Sequence, residues 1–344
     1  MRYTPIPGTD LKLSEIGFGC WTMGGPNWNL FTGKPIGWAD VDEADIVAGL
    51  KAGLDAGVNH FDNADIYGNG RAERLLGDCL KKLGVKASSV VIATKVGWFA
   101  GTSPHAYTPR HLRNQCEQSL ENLGVEAIDL YYFHNPYFAD WAHPLNRRAE
   151  LGPAMPGNIT DAAATMQELV KEGKVRVVGQ SAYSIAEFER TIPLTKPRVL
   201  QSRASMLVDE VIRPNSPLQK IMTEQNIRFV AFGPLGQGLL LDKFDPEKPP
   251  AFEDGDVRAT NAAFTPDQLR ALKPKMQQVK ARFGQSVEDL ASAAIRFVSS
   301  HPNVASVIPG FRNQRQALCN VAKADTPKMN EADLAWCRGV FAKS

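Results

Sequence analysis

Four polar side chains stand just behind strand-like runs in the first half of the chain. Asp62 and Tyr67 lie in Phe61-Asp62-Asn63-Ala64-Asp65-Ile66-Tyr67-Gly68, Lys95 in Thr94-Lys95-Val96-Gly97, and His134 in Tyr132-Phe133-His134-Asn135-Pro136. A phenol ionises near pH ~10, which makes it a poor base but a usable proton donor. A nearby ammonium is expected to lower that value, and a carboxylate beside the ammonium keeps it charged and oriented. Such a tyrosine can protonate a carbonyl oxygen as it becomes an alkoxide, while an imidazole donates a second hydrogen bond to the same oxygen. Taken singly, each residue has a plain structural reading: a salt-bridged lysine, a loop-capping aspartate, a hydrogen-bonded core histidine. Together, at three consecutive strand ends, they point to proton chemistry on a carbonyl. The six histidines (60, 105, 111, 134, 143 and 301) show no HExxH pattern, and no metal is expected.

Something must bring these residues to one place. Eight runs read as strands: Glu15–Trp21, Val58–Ala64, Ser89–Val96, Ala127–Asn135, Val175–Ala182, Val199–Ser205, Ile227–Pro234 and Ala305–Gly310. Most are apolar on both faces, as parallel strands covered on both sides must be. Helical patterns separate them. Asp40 and Glu43 have capping-box spacing, Thr108-Pro109 opens a helix that ends at Gly124, a third helix follows Ile159, and Ser286 with Asp289 starts another. A helix from Thr265-Pro266 should kink or break at Pro274. The alternation predicts an α/β fold, a closed (β/α)8 TIM barrel occupying residues 1–344 as one domain, with an open doubly wound sheet as the competing architecture. Long Gly-, Pro- and aromatic-rich segments, Asn27–Asp40 and Asn135–Asn158, follow strand runs one and four. On a barrel they stand at the C-terminal face, where active sites form.

Composition narrows the class. With 39 Lys+Arg against 37 Asp+Glu the 344-residue chain is nearly neutral and has no dense basic run, so neither nucleic acid nor a membrane surface is an expected partner. No stretch is apolar enough to span a bilayer, and the first residues lack a signal-peptide core. The five cysteines are scattered, which argues against a disulfide framework or a zinc site and for a cytoplasmic location.

The motifs resemble the aldo-keto reductase family over nearly the whole chain. FDNADIYG is similar to the family's Asp-to-Tyr segment, IATKVG to its lysine segment and DLYYFHNP to its histidine segment. The resemblance implies that Asp62, Tyr67, Lys95 and His134 are a catalytic tetrad, and that MRYTPIPGTDLKLSEIG is the hairpin that plugs the barrel floor. It also implies a nicotinamide cofactor, although Gly17-Phe18-Gly19 lacks the third glycine of a Rossmann fingerprint. In Phe232-Gly233-Pro234-Leu235-Gly236-Gln237-Gly238, small residues would let the backbone approach a pyrophosphate. After the last strand run, Gly310, Arg312, Asn313, Gln316 and Asn320 fall at the family's adenosine site. Arg312 favours NADP(H) over NAD, because a guanidinium suits a 2′-phosphate. Arg315 is a second candidate, expected by the same likeness to point away. Cys20 and Trp21 match the segment lying along the cofactor, with Asp62 close by. Ser181 and Gln201 match ligands of the carboxamide. Two positions depart from the pattern: Ala182 where the family has Asn, and Ala204 where it has a Tyr expected to stack on the nicotinamide.

Trp21, Trp28, Trp98, Tyr137 and Trp141 could line a substrate pocket together with neighbouring aromatics. The reading is an NADPH-dependent reductase of small aldehydes or ketones, or in reverse a dehydrogenase of a sugar or alcohol. Two alternatives come from other classes. One is an NADP(H)-binding regulatory subunit with little turnover. The other is a lyase or isomerase using Lys95 as a Schiff base. Neither the oligomeric state nor the physiological substrate is readable from the chain.

Overall fold

The computed structural model describes residues 1–29, 33–101, 103, 105–137 and 159–342. A short antiparallel hairpin, β1 (Tyr3–Pro5) and β2 (Lys12–Ser14), precedes eight parallel strands. These are β3 (Phe18–Gly19), β4 (His60–Asp62), β5 (Val91–Val96), β6 (Ile128–Phe133), β7 (Val175–Ser181), β8 (Val199–Arg203), β9 (Arg228–Phe232) and β10 (Val304–Ile308). They pair in sequence order from β3 to β10. Single parallel bridges, Ile16 to Val307 and Gly19 to Gly310, bring the first strand back to the last. Glycine suits this close seam, because a Cβ on Gly19 would lie 3.0 Å from the Ile308 carbonyl oxygen, tighter than an ordinary contact. Seven of the eight strand runs read from the sequence contain one barrel strand each, and the eighth, Ala305–Gly310, overlaps β10, which begins at Val304, so the barrel and not the open sheet is the fold.

Helices return the chain from each strand to the next: α1 (Glu43–Asp55), α2 (Arg71–Lys82), α3 (Pro109–Leu123), α4 (Ile159–Lys171), α5 (Ile185–Thr195), α6 (Pro217–Glu224), α7 (Pro266–Phe283), α8 (Val287–Ser299), α9 (Gln314–Val321) and α10 (Glu331–Phe341). Their ends follow local chemistry. Ser286 and Asp289 form a reciprocal capping box on α8, and α3 has Pro109 in its first turn and stops at left-handed Gly124. Two expectations are corrected. The cap of α1 is Asp42, whose carboxylate accepts from the amides of Ala44 and Asp45; Asp40 instead pairs with Arg71. Helix α7 runs unbroken through Pro274. Pro274 and Arg270, four residues earlier, are both exposed, so water can take up the carbonyl that proline leaves without a donor.

Strand alternation divides the apolar residues into two layers. Val91, Ala93, Leu130, Tyr132, Val177, Val199 and Val230 point into the barrel, where Ile6, Leu11 and Leu13 of the hairpin segment meet them. Leu200, Phe229, Ala231 and their neighbours point outward against the helices. The parity that buries Val199 also sends Gln201 and Arg203 inward, and that of Val230 sends Phe232 inward. At the C-terminal strand ends the inward-facing residues thus include the polar Gln201 and Arg203 beside the aromatic Phe232.

Candidate active site

Lys95 is 1% exposed and stands on the inner face of β5. An ammonium has three N–H donors, and here each has an acceptor: the Asp62 carboxylate at the end of β4, the Asn63 carbonyl oxygen at 2.6 Å and the Tyr67 phenol at 3.3 Å. The second Asp62 oxygen accepts from Gln201 Nε2 of β8 at 2.7 Å, across the barrel. Tyr67, in the turn before α2, is stacked on Trp21 at 6.0 Å between centroids and meets the His134 ring edge-on at 5.9 Å. The His134 amide, just past β6, donates to the Val96 carbonyl oxygen. The four residues picked from the sequence thus converge at one mouth.

Their electrostatics correct one expectation. Tyr67 is not acidified. Burial pushes the phenol well above its ordinary value, and the negative charge of Asp62 adds to this, outweighing the lysine. Tyr67 therefore holds its proton through neutral pH. Burial, then the charge of Lys95, holds the His134 imidazole well below its usual range, so the ring is neutral. Its Nδ1 is buried without a partner among the described residues. The arrangement is a protonated phenol and a neutral imidazole over a compensated ion pair. Because each ammonium proton is engaged, Lys95 is a poor amine nucleophile, which weighs against the Schiff-base alternative.

Aromatic rings surround this centre. Trp98 meets His134 at 6.0 Å and Tyr137 at 6.1 Å, and Trp21 meets Trp38 at 5.5 Å. Trp28 is not brought to this group: its indole donates to Asp254, and its ring covers Gly255. Trp141 lies outside the described residues. Sequence reading missed Tyr183, directly after β7, which faces Tyr67 and Tyr137 and accepts a hydrogen bond from Trp98. It also missed Asp65, 6% exposed with no partner for either oxygen among the described residues and pushed well up by burial and Glu73. Cys20 is fully buried near Asp62 and Lys95, and burial raises its thiol pKa, so it packs as a small apolar residue.

The ends of β9 and β10 carry the residues expected to hold a dinucleotide. Phe232 is half-buried on the inner face, followed by Gly233, Pro234, Leu235 and a 3₁₀ turn over Gly236–Leu241, in which Gln237 and Gly238 have φ of 57° and 96°. Gln237 Oε1 accepts from Asn261. Beyond β10, Asn313 caps α9, Gln316 Oε1 accepts from the Arg312 amide at 3.0 Å, and Asn320 donates to the Gly310 carbonyl oxygen at 3.1 Å. Arg312 has no acidic partner among the described residues. Lys243 joins it there, a residue sequence reading missed. Lost solvation and the charges of Arg258, Arg312 and Arg315 hold its ammonium below the usual lysine range. Of these, Lys243, Arg312 and Arg315 have no carboxylate partner among the described residues, and such a cluster of cations suits a bound anion. Arg258 is paired with Asp256 and lies between the rings of Trp38 and Phe252 at 4.5 and 4.4 Å. That stack joins the segment after β9 to the loop after β3, where Gly37 and Asp256 form a bridge.

The two departures look different in three dimensions. Ala182 and Ala204 are fully buried in the outer layer, among Phe188, Ile192 and their neighbours, and not at the mouth. A side chain at 204 points toward the helices, so the expectation that this position stacks on a nicotinamide is corrected. The inner-facing aromatic next to it is Phe232, the register partner of Arg203. Ser181 is the register partner of Gln201, and both are buried at the mouth.

The fold and this centre define a (β/α)8-barrel protein with an Asp–Tyr–Lys–His group at the C-terminal ends of its strands. The chain belongs to the aldo/keto reductase family, whose model matches residues 15–340, and is an oxidoreductase of that family. It is 28% identical to the aldo-keto reductase YhdN of Bacillus subtilis over 322 residues, 92% of this chain and 86% of that one. It is 26% identical over 336 residues to a protein of Arabidopsis thaliana described as a probable voltage-gated potassium channel subunit beta, covering 94% of this chain and 92% of the other. Its fold matches that of a glycerol dehydrogenase of Gluconobacter oxydans with a TM-score of 0.75, at 24% identity, over 99% and 95% of the two chains. Among the described residues no helix is long and apolar enough to cross a membrane.

Proposed function

We propose that the protein is an NADP(H)-dependent oxidoreductase that reduces small aldehydes or ketones, or oxidises the corresponding alcohol or sugar in reverse. The observation that carries this reading is the three-way hydrogen bonding of Lys95 to Asp62, Asn63 and Tyr67 beside His134. The uncompensated cations Lys243 and Arg312 fit a 2′-phosphate, the backbone at Gly233–Leu235 and Gly310 leaves room for a pyrophosphate, and Ser181 and Gln201 fit a carboxamide. Phe232 takes the stacking role expected of position 204. The cofactor, when bound, supplies the hydride.

The chain's own residues do the rest. Tyr67 gives its proton to the carbonyl oxygen as negative charge develops there. Lys95, held by Asp62, then stabilises the phenolate left behind. His134, neutral, donates a hydrogen bond that fixes the oxygen beside Tyr67. Trp21, Trp98, Tyr137 and Tyr183 give the carbonyl compound an apolar, aromatic surrounding and shield the phenol from water. The reading includes a cytoplasmic location.

The likeness to the channel-subunit protein favours a second reading, a cofactor-binding subunit with little turnover. NADPH consumption with a reactive aryl aldehyde separates the two. Turnover with stoichiometric alcohol supports the reductase. Tight NADPH binding without turnover across a panel of aldehydes supports the subunit.

A further inference from the structure

We propose that Arg203 is a cofactor ligand that neutralises the pyrophosphate on its nicotinamide side. This assignment rests on the NADP(H) reading above. Arg203 is the last residue of β8, and the alternation that buries Val199 and turns Gln201 toward Asp62 puts it on the inner face of the barrel. It stands one inner step beyond Gln201, roughly 7 Å further along the strand. It is exposed and, among the described residues, forms no ion pair or hydrogen bond through its guanidinium. Its register partner is Phe232, and its stem lies over Gly233: a Cβ there would be 3.6 Å from Arg203 Cγ and 4.0 Å from Cδ.

Among the described residues, no carboxylate at the mouth is paired with the guanidinium. Asp62 is compensated by Lys95 and Gln201, and burial pushes the Asp65 carboxyl well above the usual carboxylate range, which favours its neutral form. Among the described residues the unpaired cations of the cofactor groove fall into two groups: Lys243, Arg312 and Arg315 at the β10–α9 end, and Arg203 at the β8–β9 end. A dinucleotide whose carboxamide meets Ser181 and Gln201 and whose adenosine meets Arg312 must cross the ends of β8 and β9. Its two backbone phosphates then pass between the groups. A planar guanidinium with a free fork is suited to a phosphate, and the absence of a side chain at Gly233 leaves its approach open.

The test compares dissociation constants of NADPH, NADH and 2′,5′-ADP in wild type, Arg203→Ala, Arg203→Lys and Arg312→Ala, with thermal midpoints as a folding control. The expected result is that Arg203→Ala weakens NADPH and NADH by the same factor, about tenfold or more, as loss of a charge-assisted hydrogen bond would do. Binding of 2′,5′-ADP, which lacks the nicotinamide-side phosphate, stays unchanged, and Arg203→Lys recovers part of the loss. Arg312→Ala weakens NADPH and 2′,5′-ADP but not NADH. The assignment is overturned if Arg203→Ala leaves NADPH affinity unchanged. It is also overturned if that variant raises KM only for a carboxylate-bearing aldehyde, which would make Arg203 a substrate contact. Wild type that binds neither NADPH nor NADH overturns the cofactor reading itself.

Discussion

Lys95 gives away its three N–H bonds inside the barrel, and it does so beside a carboxylate that is itself about 1% exposed. Removing one partner of such a pair leaves an uncompensated buried charge, a loss of about 3–5 kcal/mol. Lys95→Met should therefore lower the free energy of unfolding by that amount, and with it the denaturation midpoint, as well as abolish turnover, and adding Asp62→Leu should restore much of the stability but none of the activity. Chemical denaturation of the three proteins checks this; an unchanged midpoint in Lys95→Met would contradict the buried pair. The tetrad was legible in the sequence because each member follows a short strand-like run, where barrels display polar groups. The acidity of Tyr67 was not, because its sign depends on a balance between burial, Asp62 and Lys95 that only geometry sets. Tyr183 was missed for a related reason: nothing in its neighbours says that it turns back over Tyr67.

At the scale of elements, the groove for the adenosine half depends on how closely α1 approaches the loop after β10. Gly49 makes the approach possible: a Cβ there would lie 2.5 Å from the Phe311 ring, which in turn packs on Phe18 at 4.6 Å between centroids. Gly49→Val should overpack this contact, costing about 1–3 kcal/mol, and should displace Gly310–Asn313 enough to weaken NADPH binding. Stability and NADPH affinity measured together test it, and a destabilised variant with unchanged NADPH affinity would show that the helix and loop are not coupled through this contact. Eight strands and the starts of several helices were readable, because parallel strands are short apolar runs and caps such as Ser286 and Asp289 declare themselves. The orientation of single residues was harder. Phe232 and not position 204 faces the mouth, because parity, not position in a motif, decides which side chain does so. Asp42 displaced Asp40 as the cap of α1 because Arg71 holds Asp40 elsewhere. Lys243 was passed over because its significance lies in cations brought to it from other loops.

The whole molecule buries several histidines as neutral rings. Burial, in each case the largest cause, lowers His60, His105 and His301 from 6.5 to about 4. The unfolded chain binds these protons near pH 6.5 and the folded chain only near 4. Stability is therefore full above about pH 6.5 and falls as the pH drops toward 4, with up to three protons taken up on unfolding. Denaturation midpoints between pH 7.5 and 4.5 should decline steeply below about pH 6, and a flat profile would contradict the buried neutral rings. At this scale the central claim is that the barrel gathers its strand ends around one proton donor. The direct measurement is the rate of NADPH oxidation with an aryl aldehyde in wild type and in Tyr67→Phe, alongside the NADPH dissociation constant of each. The account predicts measurable turnover in wild type, a fall of about 10²–10⁴-fold in the variant, and cofactor affinity changed by less than about threefold. Undiminished turnover in Tyr67→Phe would contradict it.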